Sequence, residues 1–216
     1  MKLCASLLAA NHAFIGDSLA ACEKEGIEFF HFDVSDGHYT KYIMFGPQLI
    51  DDLRSVSNAY FDVHLNTYNV EAILKTFLET SVNRISLQYE TSKEELDNLI
   101  GKIRAEKKDV SITFTGLEEY ETIAAHVEKS DAVNLLAVNP GIGGQIFQKE
   151  VLKKIEKIAA YIANHNLKTI ISVDGGINGK TIKSVKDAGA NLAIVGSGIF
   201  CGSIEENIKN LRSIIE

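Results

Sequence analysis

No CxxC pair occurs in this chain. Its three cysteines, Cys4, Cys22 and Cys201, lie far apart and are odd in number. That argues against a disulfide framework or a cysteine-built zinc site and points to a reducing cytoplasm. No apolar run is long enough to span a bilayer. Met1–Ala10 carries one basic residue and a short apolar stretch, which reads as a first buried strand and not as a secretion signal. No basic cluster with interleaved aromatics is present, and the net charge of −7 favours solubility and speaks against a nucleic-acid partner. No GxGxxG follows the first strand, which speaks against an open doubly wound sheet, and no P-loop is found, so a nucleoside triphosphate is not indicated. Low-complexity segments and domain-sized linkers are absent too.

What the sequence does have is a regular alternation. Short apolar runs, as expected for parallel strands buried on both faces, recur between longer amphipathic stretches. Strands are predicted at Leu3–Leu7, Phe29–Val34, Ala59–Leu65, Arg84–Gln88, Val110–Phe114, Ala132–Val138, Thr169–Val173 and Leu192–Val195. Helical spacing is clear for Leu152, Ile155, Ile158, Ala159 and Ile162, and again for Ile204, Ile208, Leu211, Ile214 and Ile215. Eight strand–helix units in 216 residues, with 45% hydrophobic residues to fill a core, predict one (β/α)8 TIM barrel over residues 1–216. An open doubly wound sheet is the alternative, but it normally uses fewer strands over this length.

In such barrels the chemistry sits at the C-terminal strand ends. The second strand carries His31 and Asp33, two residues apart and therefore on one face. The third carries Asp62 and His64, with Asp62 expected to turn toward the outer helix layer. The seventh ends in Asp174. Each of these has an ordinary reading: a lone strand histidine is more often a hydrogen-bonded core residue, and Asp36-Gly37 or Asp174-Gly175 suit plain turns. Two imidazoles and two carboxylates converging inside one barrel instead suit a divalent cation such as Zn2+, Mn2+ or Fe2+, because buried carboxylates need compensation. Three glycine-rich segments, Asn139–Gln145, Asp174–Asn178 and Gly196–Phe200, follow the last three strands. Glycine lets backbone N–H groups approach an anion, and the last two of these loops are where such barrels hold phosphate. His12, His126 and His165 fall in loop or helix contexts and are set aside as solvated, and Glu118, Glu119 and Glu121 as an acidic helix start.

Taken together, Ala5–Leu8, His31–His38, Asp62–Leu65, Val138–Phe147, Val173–Ile177 and Gly196–Phe200 resemble the ribulose-phosphate 3-epimerase family, in family order and across nearly the whole chain. The resemblance implies a metal-dependent C3 epimerase of a phosphorylated ketose, D-ribulose 5-phosphate first, and a homo-oligomer. It implies one divalent ion held by His31, Asp33, His64 and Asp174, with Asp33 and Asp174 as the acid–base pair. Ser6 and His64 would touch the substrate. Gly144, Gly175, Gly176, Gly196 and Ser197 would hold its phosphate, with Gly141 and Gly143 beside them. The chain departs from the family pattern at Ser35, Asn66 and Leu136, where methionine is usual and where specificity is therefore expected to lie. It also departs at Ala5 for proline, Thr40-Lys41-Tyr42 for Val-Pro-Asn, Gln88 for histidine, and Phe114-Thr115 for Asn-Pro. Other readings are an epimerase of a hexulose 6-phosphate, a lyase or aldolase of the same barrel type, and a non-catalytic sugar-phosphate binder. The lyases carry Asp-x-Lys-x-x-Asp, whereas Asp33-Val34-Ser35-Asp36-Gly37 has no such lysine.

Overall fold

A computed structural model describes residues 1–141 and 143–216; Ile142, within the first glycine segment, lies outside the described residues. The described residues form nine strands: β1 (Lys2–Ser6), β2 (Phe29–Asp36), β3 (Ile43–Met44), β4 (Tyr60–Asn66), β5 (Arg84–Gln88), β6 (Asp109–Phe114), β7 (Ala132–Leu136), β8 (Ile170–Asp174) and β9 (Leu192–Val195). All but β3 pair in parallel, and the pairings of β1 with both β2 and β9 close the ring into an eight-stranded barrel. β3 is a two-residue antiparallel arm on the end of β2, with Ser35 opposite Met44. The alternation of the sequence does not reveal it, because two residues are too short to show a period.

The longer helices form the outer layer: α1 (Ile15–Lys24), α2 (Pro47–Arg54), α3 (Val70–Leu78), α5 (Leu96–Ala105), α6 (Tyr120–Val127), α7 (Val151–Asn164), α8 (Ile182–Asp187) and α10 (Ile204–Ile215). Two four-residue helices, α4 (Tyr89–Ser92) and α9 (Ser197–Phe200), begin directly after or one residue after a strand. Local chemistry starts several helices. Pro47 occupies the first turn of α2, where its missing N–H costs nothing. Ser203 caps α10 by accepting from the Glu206 N–H, and Glu205 and Glu206 favour the positive end of that helix.

Alternation along the strands separates two layers. Phe30, Phe32, Phe61, Val63 and Leu65 point outward and are fully covered by helices, with Phe32 and Phe61 rings meeting edge-on at 5.1 Å. The residues between them point into the barrel, and there the lining is polar: Ser86 and Thr113 hydroxyls meet at 2.6 Å, and Arg84 is bound to Asp62. Register then fixes the site. β2 and β4 pair with His31 opposite Asp62, Asp33 opposite His64, and Ser35 opposite Asn66. Ser6 of β1 lies opposite His31, and Leu136 of β7 opposite Asp174.

Candidate active site

His31 is wholly buried, and its two ring nitrogens face different groups. Nδ1 donates to Asp62 Oδ2 at 2.8 Å. Nε2 is buried with no hydrogen-bond partner among the described residues; acidic neighbours are Asp33 Oδ1 at 3.5 Å and Asp174 Oδ2 at 3.9 Å. Burial alone would lower this imidazole's pKa, but Asp33 and Asp62 outweigh it and raise it well above the ordinary value. The position beside Nε2 therefore favours positive charge.

Asp62 corrects the sequence reading. It does not turn toward the outer helices: it shares the inner face with His64, as two-residue spacing requires, and is buried. Arg84 grips it through Nε to Oδ1 at 2.8 Å and Nη2 to Oδ2 at 3.0 Å. Burial alone would raise the Asp62 carboxyl; Arg84 and His31 hold it well below the usual carboxylate range. Neither Arg84 nor the support role of Asp62 was anticipated, although the spacing between Asp62 and His64 carried the signal for the latter.

His64 Nε2 donates to Gln88 Oε1 at 2.9 Å, which leaves Nδ1 facing Asp33 Oδ1 at 3.4 Å. Asp33 is held from both sides, by Ser6 Oγ to Oδ2 at 3.5 Å and by Asn66 Nδ2 to Oδ1 at 3.1 Å. Burial works to raise Asp33, but His31 and His64 lower it far below its ordinary value. Asp174 responds oppositely: burial and the neighbouring Asp33 carboxylate push it up to about 6, against the pull of both imidazoles. Two carboxylates that share one small volume cannot both ionise freely without a cation.

A divalent ion fits this donor set. His31, Asp33 and His64 each offer an atom, and the three atoms lie within 4.8 Å of one another. The orphaned Nε2 of His31, with Asp62 behind Nδ1, has the carboxylate–histidine arrangement that orients an imidazole toward a metal. Asp174 is beside this group and outside the tight triad.

Above the donors opens a cavity of about 290 Å3. Asp33, His64 and Asp174 line it, as do Ser6, Gly141, Gly143, Gly144, Gly175, Gly176, Gly196, Ser197, Asn66 and Leu136. His31 and Ser35 do not: both are buried and lie outside its lining. Two of the glycines are dictated by the turn itself. Gly175 (φ 100°) and Gly176 (φ 66°) sit in left-handed backbone, and a Cβ on Gly176 would come within 2.7 Å of Phe147 Cα. Gly144 also has positive φ (75°), but among the described residues nothing lies within 4 Å of where its Cβ would be, and it lines the cavity. Asp36-Gly37 is a plain turn, in which Asp36 Oδ1 accepts the His38 N–H at 2.9 Å.

Known proteins resemble the chain in both sequence and fold. The profile of the Ribulose-phosphate 3 epimerase family matches residues 2–200. Ribulose-phosphate 3-epimerase 2 of Cupriavidus necator is 31% identical over 204 residues, covering 93% of this chain and 84% of that protein. The Bacillus subtilis ribulose-phosphate 3-epimerase is 31% identical over 201 residues, covering 93% and 92%. Among solved structures, a 3-hexulose-6-phosphate synthase superposes with a TM-score of 0.71 over 100% of both chains, at 18% identity, a likeness of fold alone.

Proposed function

Because the chain belongs to the ribulose-phosphate 3-epimerase family of isomerases, we propose that it inverts C3 of a phosphorylated ketose, D-ribulose 5-phosphate to D-xylulose 5-phosphate, by proton transfer through Asp33 and Asp174. One observation carries the reading: Asp33 and Asp174, which both line the glycine-rimmed cavity, approach within 4 Å of the same buried nitrogen behind it, His31 Nε2.

The chemistry follows from those groups. A proton on C3, next to the C2 carbonyl, leaves only if the negative charge moving onto oxygen is stabilised. A divalent cation held by His31, Asp33, His64 and Asp174 supplies that stabilisation when bound, as a Lewis acid toward the ketose oxygens. One aspartate takes the C3 proton and the electron pair moves onto the C2 oxygen, giving an enediolate. The other aspartate, as the acid, delivers a proton to the opposite face of C3. The stereocentre inverts with no change of oxidation state. Ser6, bonded to Asp33, steadies that carboxylate beside the substrate. Gly144, Gly175, Gly176, Gly196 and Ser197, with Gly141 and Gly143 at the rim, hold the phosphate through backbone N–H groups.

A lyase reading gains nothing from the shared fold, since the lysine that those enzymes place between their aspartates is missing here. Retention of both aspartates speaks against a binder without catalysis. The specificity role assigned to Ser35, Asn66 and Leu136 rests on the last two, which reach the cavity. Three unpaired cysteines support a cytoplasmic setting, and no helix among the described residues is long and apolar enough to cross a membrane. A homo-oligomer is the expectation that the family resemblance carries, and light scattering would reveal it. The reaction itself is tested by NMR in D2O with a panel of ketose phosphates: deuterium should enter at C3 of ribulose 5-phosphate as xylulose 5-phosphate accumulates. Absence of exchange with every ketose phosphate would refute the proposal.

A further inference from the structure

Asn66 has a role at the donor cluster that its position on β4 dictates. Residues 62, 64 and 66 share the inner face of the strand, and Asn66 is 2% exposed. Its Nδ2 lies 3.0 Å from His64 Nδ1 and 3.1 Å from Asp33 Oδ1. Those two atoms belong to the cluster described above as a cation site, so one amide group satisfies two of its donors at once. The other half of the amide is left without a partner among the described residues: Asn66 Oδ1 is buried and accepts no hydrogen bond from them. An orphaned buried acceptor has given up its water without gaining a donor in return. A buried amide that satisfies one end and strands the other is suited to two states.

We propose that Asn66 is a further ligand of the metal centre, an amide that turns over on metal binding: its NH2 bridges Asp33 and His64 when the site is empty, and its Oδ1 coordinates the cation when it is filled. The inference rests on the reading of His31, Asp33 and His64 as metal ligands. A half-turn about χ2 exchanges Nδ2 and Oδ1 with almost no change of shape. Without a cation that turn would bring three electron-rich atoms together, Oδ1, His64 Nδ1 and Asp33 Oδ1. With a cation among them the same arrangement is attractive: the oxygen gains its partner, and that contact outweighs leaving the NH2 in the place where Oδ1 had none. An amide oxygen is a hard donor, so it biases the centre toward Mn2+ and similar ions relative to a site built from imidazole and carboxylate alone.

The test compares chelator-stripped wild type with Asn66→Leu, which keeps similar volume and removes both polar ends, and with His64→Ala. Mn2+ affinity is measured by competition with a chelator, and the coordination number is read from the visible spectrum of the Co2+ form. Groups that merely support a metal ligand typically carry roughly 10- to 100-fold of affinity, and a direct ligand should carry at least as much. Asn66→Leu should therefore bind Mn2+ at least tenfold more weakly, and its Co2+ bands should change in position and intensity as one ligand is lost. If Asn66→Leu binds as tightly as wild type or tighter, with an unchanged Co2+ spectrum, while His64→Ala loses binding, the Asn66 proposal falls and the metal site stands. If neither Asn66→Leu nor His64→Ala alters binding, the metal site falls and takes the proposal with it. A measurement on wild type alone guards against a misfolded variant. The side-chain NH2 signals of Asn66 in 15N-labelled protein should be protected from exchange without metal and should lose that protection when Zn2+ is added. Signals that stay protected and unshifted at full Zn2+ occupancy would overturn the turnover of the amide.

Discussion

His31 donates through Nδ1 to Asp62 Oδ2 across 2.8 Å, and this bond leaves the opposite nitrogen of the ring as the one facing Asp33 and Asp174. Asp62 keeps its charge in the barrel interior because Arg84 meets it with two parallel bonds. Removing one partner of a buried ion pair strands the other, at a cost of roughly 3–5 kcal/mol. Arg84→Met should therefore destabilise the fold by about that amount in urea melts, and Arg84→Met/Asp62→Asn should recover most of it. The pH dependence has a definite sign. Asp62 is depressed in the folded state, so the stability it contributes is complete above the unfolded carboxylate value of about 3.9 and drains away as pH falls below it. The gap between wild type and the double variant should narrow in acid. A double variant no more stable than Arg84→Met at neutral pH would contradict the pairing.

Metal content gives a second check. The protein purified under metal-replete conditions should carry about one divalent ion per chain, and His64→Ala should carry far less. The reason is geometric: His64 is one of three residues that each offer a donor atom within 4.8 Å of the others. Elemental analysis showing equal metal in both proteins would count against the site.

The glycines separate by what surrounds them. Ala at Gly176 would meet both a positive φ and the Phe147 backbone at 2.7 Å, so Gly176→Ala should lose ~2 kcal/mol or more of stability. Gly144→Ala meets the φ cost, about 1–2 kcal/mol, and no clash with any described residue. Its larger effect should be a raised KM and weaker inhibition by inorganic phosphate. Unchanged KM and phosphate inhibition would remove Gly144 from the phosphate cradle.

Leu136 closes one side of the cavity and is nearly fully buried. Leu136→Ala should raise the ratio of kcat/KM for hexulose 6-phosphates over ribulose 5-phosphate, by about tenfold, since one or two methylenes in an apolar pocket are worth roughly that much. An unchanged ratio would show that Leu136 does not set substrate length.

The barrel was legible in the sequence because each strand is a short apolar run bounded by a helix-spaced segment. Predicted and observed strand ends differ by at most two residues, as at Phe29–Val34 against Phe29–Asp36. The arm at Ile43–Met44 was hidden because two residues carry no period. The donors His31, Asp33 and His64 were legible from their spacing and strand position. Their support was not: Asp62, Arg84 and Gln88 act through cross-strand register, which pairs Asp62 with both His31 and Arg84 and cannot be read from one strand at a time. Ser35 shows the opposite limit: the family resemblance made it a specificity position on the substrate side, whereas it is buried outside the cavity lining.

The account turns on two aspartates exchanging protons with C3, and the direct measurement is the rate of epimerisation and of C3 deuterium exchange by Asp174→Asn, followed by NMR in D2O with ribulose 5-phosphate. An amide keeps the size of the carboxylate and cannot exchange a proton at neutral pH. The account predicts a folded protein whose turnover falls ~100-fold or more. Epimerisation by Asp174→Asn at a rate close to wild type would contradict it.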